Sequence, residues 1–174
     1  DDARSSLVEI TAEGVRLLAR KLPELLVAFS CSKNFGLYSE RTGCALVLAE
    51  NAASARSAGE HMGLVARPLY SMPPDHGGAI VRTILEDAAL ASSWRTELDI
   101  VTQSIVGKRG VLAAAFRDAI GTTDFDYLER GSGMFSLLNL SRAEILALRE
   151  ERGIYIVEDG RINVAGLPTH RVGD

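Results

Sequence analysis

Apolar residues first recur at helical spacing at Val15, Leu18 and Leu22, behind Thr11, a residue type that caps helices, and this run stops at Pro23. The pattern then changes to two short continuous apolar runs, ELLVAFS and TGCALVLAE, which predict buried strands of the kind found in mixed or parallel sheets. Asn51 is placed to cap a helix with Ala55, Ala58, Met62 and Val65 on one face. Asp75, after Pro73 and Pro74, is placed to cap another carrying Ile80, Ile84 and Ala88, and the stretch between them, ARPLYSMPPDHGG, reads as irregular. From Trp94 the positions Leu98, Val101, Ile105, Leu112 and Phe116 keep helical spacing for about seven turns. Short strands are expected around Tyr127 and Met134. Ser141 with Glu144 forms a capping box, with Leu140 and Ile145 as its hydrophobic staple. GIYIVEDGRINVAG reads as two strands about a turn at Asp159 and Gly160.

This order predicts an α/β unit ending near residue 90, a long linking helix, and a smaller α+β unit from about residue 105, with the domain boundary drawn at residue 100. The chain opens DDARSS without an initiator methionine and closes THRVGD, so both ends read as cut and the chain as a piece of something longer.

Composition narrows the class. The chain has 174 residues, 47% hydrophobic and 24% charged, as in an ordinary globular protein. Nineteen basic against 23 acidic residues give −4, with no basic block to neutralise a phosphate backbone, which argues against a nucleic-acid partner. No apolar run approaches the roughly 18 residues that would span a bilayer. Cys31 and Cys44 have no metal-ligand spacing, so a reduced, cytoplasmic protein is expected, with an organelle matrix as the other possibility, and no metal.

Between the two apolar runs lies SCSKNFGLYSERTG, with a lone Lys33 among small polar residues and Arg41 eight residues on. Such a lysine is ordinarily a solvated surface charge. It also has the chemistry of a phosphate ligand or, when its amine is neutral part of the time, of a Schiff-base nucleophile. An arginine and hydroxyls would suit a dianionic phosphate. Arg41 beside Glu40 and Arg161 beside Asp159 could equally be surface ion pairs worth under about 1 kcal/mol each.

SCSKNFGLYSERTG is similar to the lysine segment of the class I aminotransferases of the aspartate and aromatic amino acid group. ARPLYSMPPDHGG resembles that group's Arg-x-x-Tyr-Ser-x-Pro-Pro segment, and GMFSLLNL followed by LREERGIYIVEDGRINVAGL resembles its C-terminal signature. The three occur in the family's order across nearly the whole chain. The resemblance implies the C-terminal part of a fold-type I transferase dependent on pyridoxal 5'-phosphate. Residues 1–100 would end its large mixed-sheet domain, and residues 101–174 would form the small domain without its last helix.

Carried over by position, Lys33 would hold the cofactor as a Schiff base and move the substrate's α-proton. Ser30 and Arg41 would bind the cofactor phosphate. Arg161 would clamp the substrate α-carboxylate, and Arg67 would reach across a homodimer interface to the side-chain carboxylate of aspartate or glutamate. The expected substrates are an amino acid and a 2-oxo acid. Phe35 and Tyr38 read as packing that fixes the lysine loop, Cys31 as a small side chain beneath it, and His76 as structural; Tyr70 and Ser71 are candidates for lining the site.

Three positions depart from the family pattern: Leu137 stands for a second phenylalanine, Asn139 for glycine, and Met72 for the commoner asparagine. The family's carboxylate partner of the pyridine nitrogen, its phosphate-binding glycine-rich turn, and its tyrosine and asparagine on the phenolic oxygen have no counterpart here. Two alternatives therefore stay open beside a dicarboxylic transaminase: an aromatic amino acid aminotransferase, and a non-catalytic remnant that folds without turning over substrate.

Overall fold

A computed structural model describes residues 7–168, with side chains from residue 13. The terminal stretches DDARSS and THRVGD lie outside the described residues. Two compact units divide the chain, residues 1–98 and 99–174.

The first unit opens with α1 (Leu7–Lys21), which begins before Thr11 and so makes that residue helical rather than a cap. Pro23 ends it as expected, because proline cannot continue the donor ladder. Strands β1 (Leu25–Ser30) and β2 (Gly43–Leu48) pair antiparallel, from Leu25 opposite Leu48 to Ser30 opposite Gly43. They are not the buried strands that their apolar runs predict: Leu26 is 75% and Leu46 48% exposed. A two-stranded sheet offers too little surface for layers on both faces, and here the face of Leu25 and Val27 is half covered while that of Leu26 and Ala28 is open.

Helix α2 (Ala52–Tyr70) starts at Asn51, whose side chain accepts from the Ser54 N–H at 2.9 Å. It runs on through Arg67 and Pro68, so the first half of the supposed irregular stretch is helical. One proline removes a single donor, which a nineteen-residue helix tolerates. The stop falls at Ser71, at φ 62° and ψ −72°, with the Met72 N–H on the Tyr70 carbonyl at 2.7 Å. That is a tight three-residue turn of the strained, positive-φ kind. Helix α3 (His76–Glu86) follows without a side-chain cap from Asp75. Helix α4 (Ala88–Ile120) takes in Ala88 and starts before Trp94, because the Asp87 carboxylate accepts from Ala89 and Leu90 N–H, each at 2.9 Å, and restarts the helix.

The second unit holds most of the core. Ala113, Leu128, Leu138, Ile145 and Ile156 are buried together, with Phe116, Phe125, Leu140 and Ile162 packed around them. The segment at Tyr127 is a helical turn, α5 (Tyr127–Arg130), not a strand. Arg117 ties it to α4 through Asp126, at 2.6 Å, and Glu129. Strand β3 (Phe135–Leu137) pairs antiparallel with β4 (Arg161–Asn163). Between them, α6 (Arg142–Arg152) carries the full capping box of Ser141 and Glu144 and stops at Gly153 in the left-handed region, where glycine is unstrained. The residues from Ile154 to Val157 form no strand; only the turn and β4 of the expected pair are present.

Candidate functional site

The lysine loop is the connection between β1 and β2. Its base is closed by the Cys31 N–H on the Thr42 carbonyl, at 2.9 Å. Inside it, the Phe35 and Gly36 N–H groups turn back on the Cys31 and Lys33 carbonyls, and Gly36 takes φ 67°. Phe35 stacks on Trp94 at 4.6 Å, and the Trp94 indole donates to the Asn34 carbonyl at 2.8 Å, so the first turn of the loop is bolted to α4. Cys31 is buried beneath it, and burial, followed by its neighbour Cys44, pushes its thiol up, away from the reactive thiolate.

Lys33 and Arg41 both converge on Tyr38. The Lys33 amine lies 5.0 Å from the centre of the Tyr38 ring, and Arg41 donates to the Tyr38 carbonyl at 3.1 Å. Arg41 itself sits at φ 51°, a region that costs a non-glycine residue about 1 kcal/mol or more and concentrates at functional positions. Ser30, the last residue of β1, accepts from the Ser32 N–H at 3.2 Å and donates to the Ser32 hydroxyl at 3.0 Å. Ser32 is buried, so this pair orients the Ser30 hydroxyl at the root of the loop.

The ion pairs that would reduce these residues to surface decoration are not formed. Glu40 is taken by His76, at 2.8 Å, and not by Arg41. Asp159 accepts from the backbone N–H of Arg161, at 3.0 Å, and not from its guanidinium. Among the described residues, Lys33, Arg41, Arg67 and Arg161 have no carboxylate within salt-bridge distance. Arg67 lies exposed in the last turn of α2, just before the strained turn at Ser71. In the second unit Arg161 opens β4 opposite Leu137, with its guanidinium 5.6 Å from the centre of the Phe135 ring.

Ser32, Gly77 and Arg109, which have structural claims on these sites, escaped the sequence reading. Ser32 was signalled only by its repeat of Ser30 two residues on. His76 and Gly77, at the start of α3, press on the loop at Glu40 and Thr42; a Cβ on Gly77 would lie 1.8 Å from the Thr42 hydroxyl. Gly77→Ala is therefore expected to lower folding stability by about 1 to 3 kcal/mol through overpacking, read as a depressed melting temperature; an unchanged melting temperature would mean that α3 does not brace the loop. Arg109 is 2% exposed in α4, and its signal was a charge interrupting the apolar stripe between Ile105 and Leu112.

Residues 3–173 match the family of class I and II aminotransferases. The chain belongs to that family. It is similar to the aromatic-amino-acid aminotransferase of Paracoccus denitrificans, 44% identical over 92% of this chain and 41% of that one. It is also similar to the aspartate aminotransferase of Escherichia coli, 40% identical over 92% of this chain and 40% of that one. Among solved structures, the Burkholderia pseudomallei aromatic-amino-acid aminotransferase covalently bound to pyridoxal phosphate aligns at a TM-score of 0.86, with 37% identity over 95% of this chain and 42% of that one. The chain thus spans about two fifths of the length of the curated relatives it matches, and those relatives divide between aspartate and aromatic types at similar identity. Among its described residues no helix is long and apolar enough to cross a membrane, and no cluster of side chains suits a metal ion.

The donors present fit pyridoxal phosphate. One primary amine matches an aldehyde, and a hydroxyl with a guanidinium that has no carboxylate partner on the same loop matches a phosphate dianion.

Proposed function

We propose that this chain is the C-terminal part of a transaminase dependent on pyridoxal 5'-phosphate, exchanging an amino group between a dicarboxylic amino acid and a 2-oxo acid. The observation that carries the reading is the set of four cations in the family's three motifs that have no acidic partner among the described residues, although Glu40 adjoins Arg41 and Asp159 is two residues from Arg161. Uncompensated cations on a chain of net charge −4 are suited to anionic ligands.

In this reading Lys33 is the covalent attachment point and afterwards the base that takes up and returns the substrate's α-proton. When bound, pyridoxal phosphate supplies the electron sink that makes that proton acidic. Ser30 and Arg41 hold the phosphate, with Ser32 aligning Ser30 and Tyr38 holding Arg41 in its strained conformation. Arg161 takes the α-carboxylate and Arg67 the side-chain carboxylate, a task that suits the planar fork of arginine. Residues 1–100 belong to the cofactor-binding domain and residues 101–174 to the small domain, in a homodimer in which Arg67 serves the neighbouring site.

An aromatic amino acid aminotransferase is the second reading. It is favoured by the 44% identity to the Paracoccus relative and by the apolar Met72, which is 81% exposed beside the Arg67 segment.

The test is borohydride reduction of the full-length protein loaded with pyridoxal phosphate, followed by peptide mapping. The expected result is loss of the visible cofactor band and a pyridoxyl adduct on Lys33. An adduct on another lysine, or none, overturns the assignment.

A further inference from the structure

Arg109 is the one fully buried guanidinium among the described residues, and nothing in the proposed chemistry uses it. It has no carboxylate partner. Its nitrogens are spent on backbone: Nε and Nη2 on the Gly133 carbonyl, the former at 3.0 Å, Nη2 on the Phe135 carbonyl at 2.7 Å, and Nη1 on the Leu128 carbonyl at 3.2 Å. Nη1 also donates to the Ser136 hydroxyl at 2.8 Å. Space has been cleared for it, since a Cβ on Gly131 would lie 2.5 Å from Nη1. Burial without an anion disfavours the charge and shifts the group down from its ordinary value.

Two of its partners, the Phe135 carbonyl and the Ser136 hydroxyl, belong to β3, the strand that supports Arg161, and a third, the Gly133 carbonyl, lies two residues before it. On one side of β3, the flanking Met134 carbonyl accepts from Val164 and the Leu138 N–H donates to Gly160, closing the ladder to β4. On its other edge the Phe135 carbonyl is taken by Arg109 and the Leu137 carbonyl by the Tyr127 hydroxyl, at 2.6 Å. A ladder of three residues a side has little rigidity of its own. Phe135 is also the ring beneath the Arg161 guanidinium, and Leu137 is the residue paired with Arg161.

We propose that Arg109 is a positioning residue for Arg161. By fixing the outer edge of β3 it fixes the Phe135 ring and the register of β4, and so the angle at which Arg161 meets a carboxylate. The inference rests on the reading of Arg161 as the α-carboxylate ligand.

The experiment is a double-mutant cycle in the full-length enzyme, with kcat and KM measured for aspartate and for phenylalanine in Arg109→Lys, Arg161→Ala and the double variant. Lysine keeps the charge but offers one nitrogen where the guanidinium offers a fork, so it cannot serve the Leu128, Gly133 and Phe135 carbonyls together. In Arg109→Lys, KM should rise roughly tenfold or more for both substrates, kcat should change less, and the cofactor absorbance should stay as in the parent enzyme. In the Arg161→Ala background the same substitution should change KM less than about twofold. An equal loss in both backgrounds would make Arg109 merely structural and overturn the proposal, as would no loss in either. Wild-type KM in Arg161→Ala alone would overturn the reading of Arg161, and this inference with it, while leaving Lys33 untouched. Should Arg109→Lys not fold, Ser136→Ala removes one of the acceptors and is carried through the same cycle with the same criteria.

Discussion

Lys33→Ala in the full-length enzyme is expected to lower kcat/KM for transamination by at least about four decades. Positioned proton transfer alone contributes about two to four decades, and the orientation that a covalent attachment gives is lost at the same time. Lys33→Arg should fare no better, because a guanidinium does not release its proton near neutral pH. The fold should survive both changes. Lys33 is exposed, and its side-chain amine faces the Tyr38 ring, a cation–π interaction worth about 0.5 to 1 kcal/mol at an exposed site. Steady-state kinetics and thermal melting on the same preparations separate the two effects. Activity within tenfold of the parent in Lys33→Ala would remove this lysine from the chemistry.

Arg161→Ala and Arg67→Ala are expected to differ in which substrates they harm. Arg161 should hold the carboxylate common to every amino acid, so its loss should weaken aspartate and phenylalanine alike. Arg67 should hold only a side-chain carboxylate, so Arg67→Ala should damage aspartate and spare or improve phenylalanine. Leaving a desolvated carboxylate without its partner costs on the order of 3 to 5 kcal/mol, or roughly two to four decades in kcat/KM. Equal losses on both substrates in Arg67→Ala would make that residue structural. A parent enzyme that strongly prefers phenylalanine would replace the dicarboxylic reading with the aromatic one.

The helix caps at Asn51 and Ser141 were legible in the sequence because capping is local: a side-chain oxygen bonds a backbone N–H two or three residues on, with no reference to the rest of the fold. The restart at Asp87 is equally local, but continuous apolar periodicity on both sides concealed it. What failed was whatever depends on distant partners. The apolar content of β1 and β2 speaks of burial, yet whether a strand is buried is decided by neighbours that its own residues do not encode. Around Tyr127 the β-favouring residue types were overruled by Arg117, which holds Asp126 and Glu129 in a helical turn. At the candidate site the residues proposed to bear the chemistry rest on motif resemblance, whereas their supports Ser32, Gly77 and Arg109 had no motif to show them. A supporting residue is defined by what it touches, and that is a property of the folded chain.

The open face of the β1–β2 hairpin also bears on handling. Leu26 and Ala28 present an uncovered apolar strip on a ribbon that pairs with no third strand among the described residues, and such edges recruit other strands. When this stretch is expressed by itself, colloidal behaviour rather than catalysis is the first obstacle. With a pI near 5.4, protein at mildly acidic pH would lose the mutual repulsion that keeps such ribbons apart, so slightly alkaline, low-salt buffers are the conditions under which monodisperse material is to be sought.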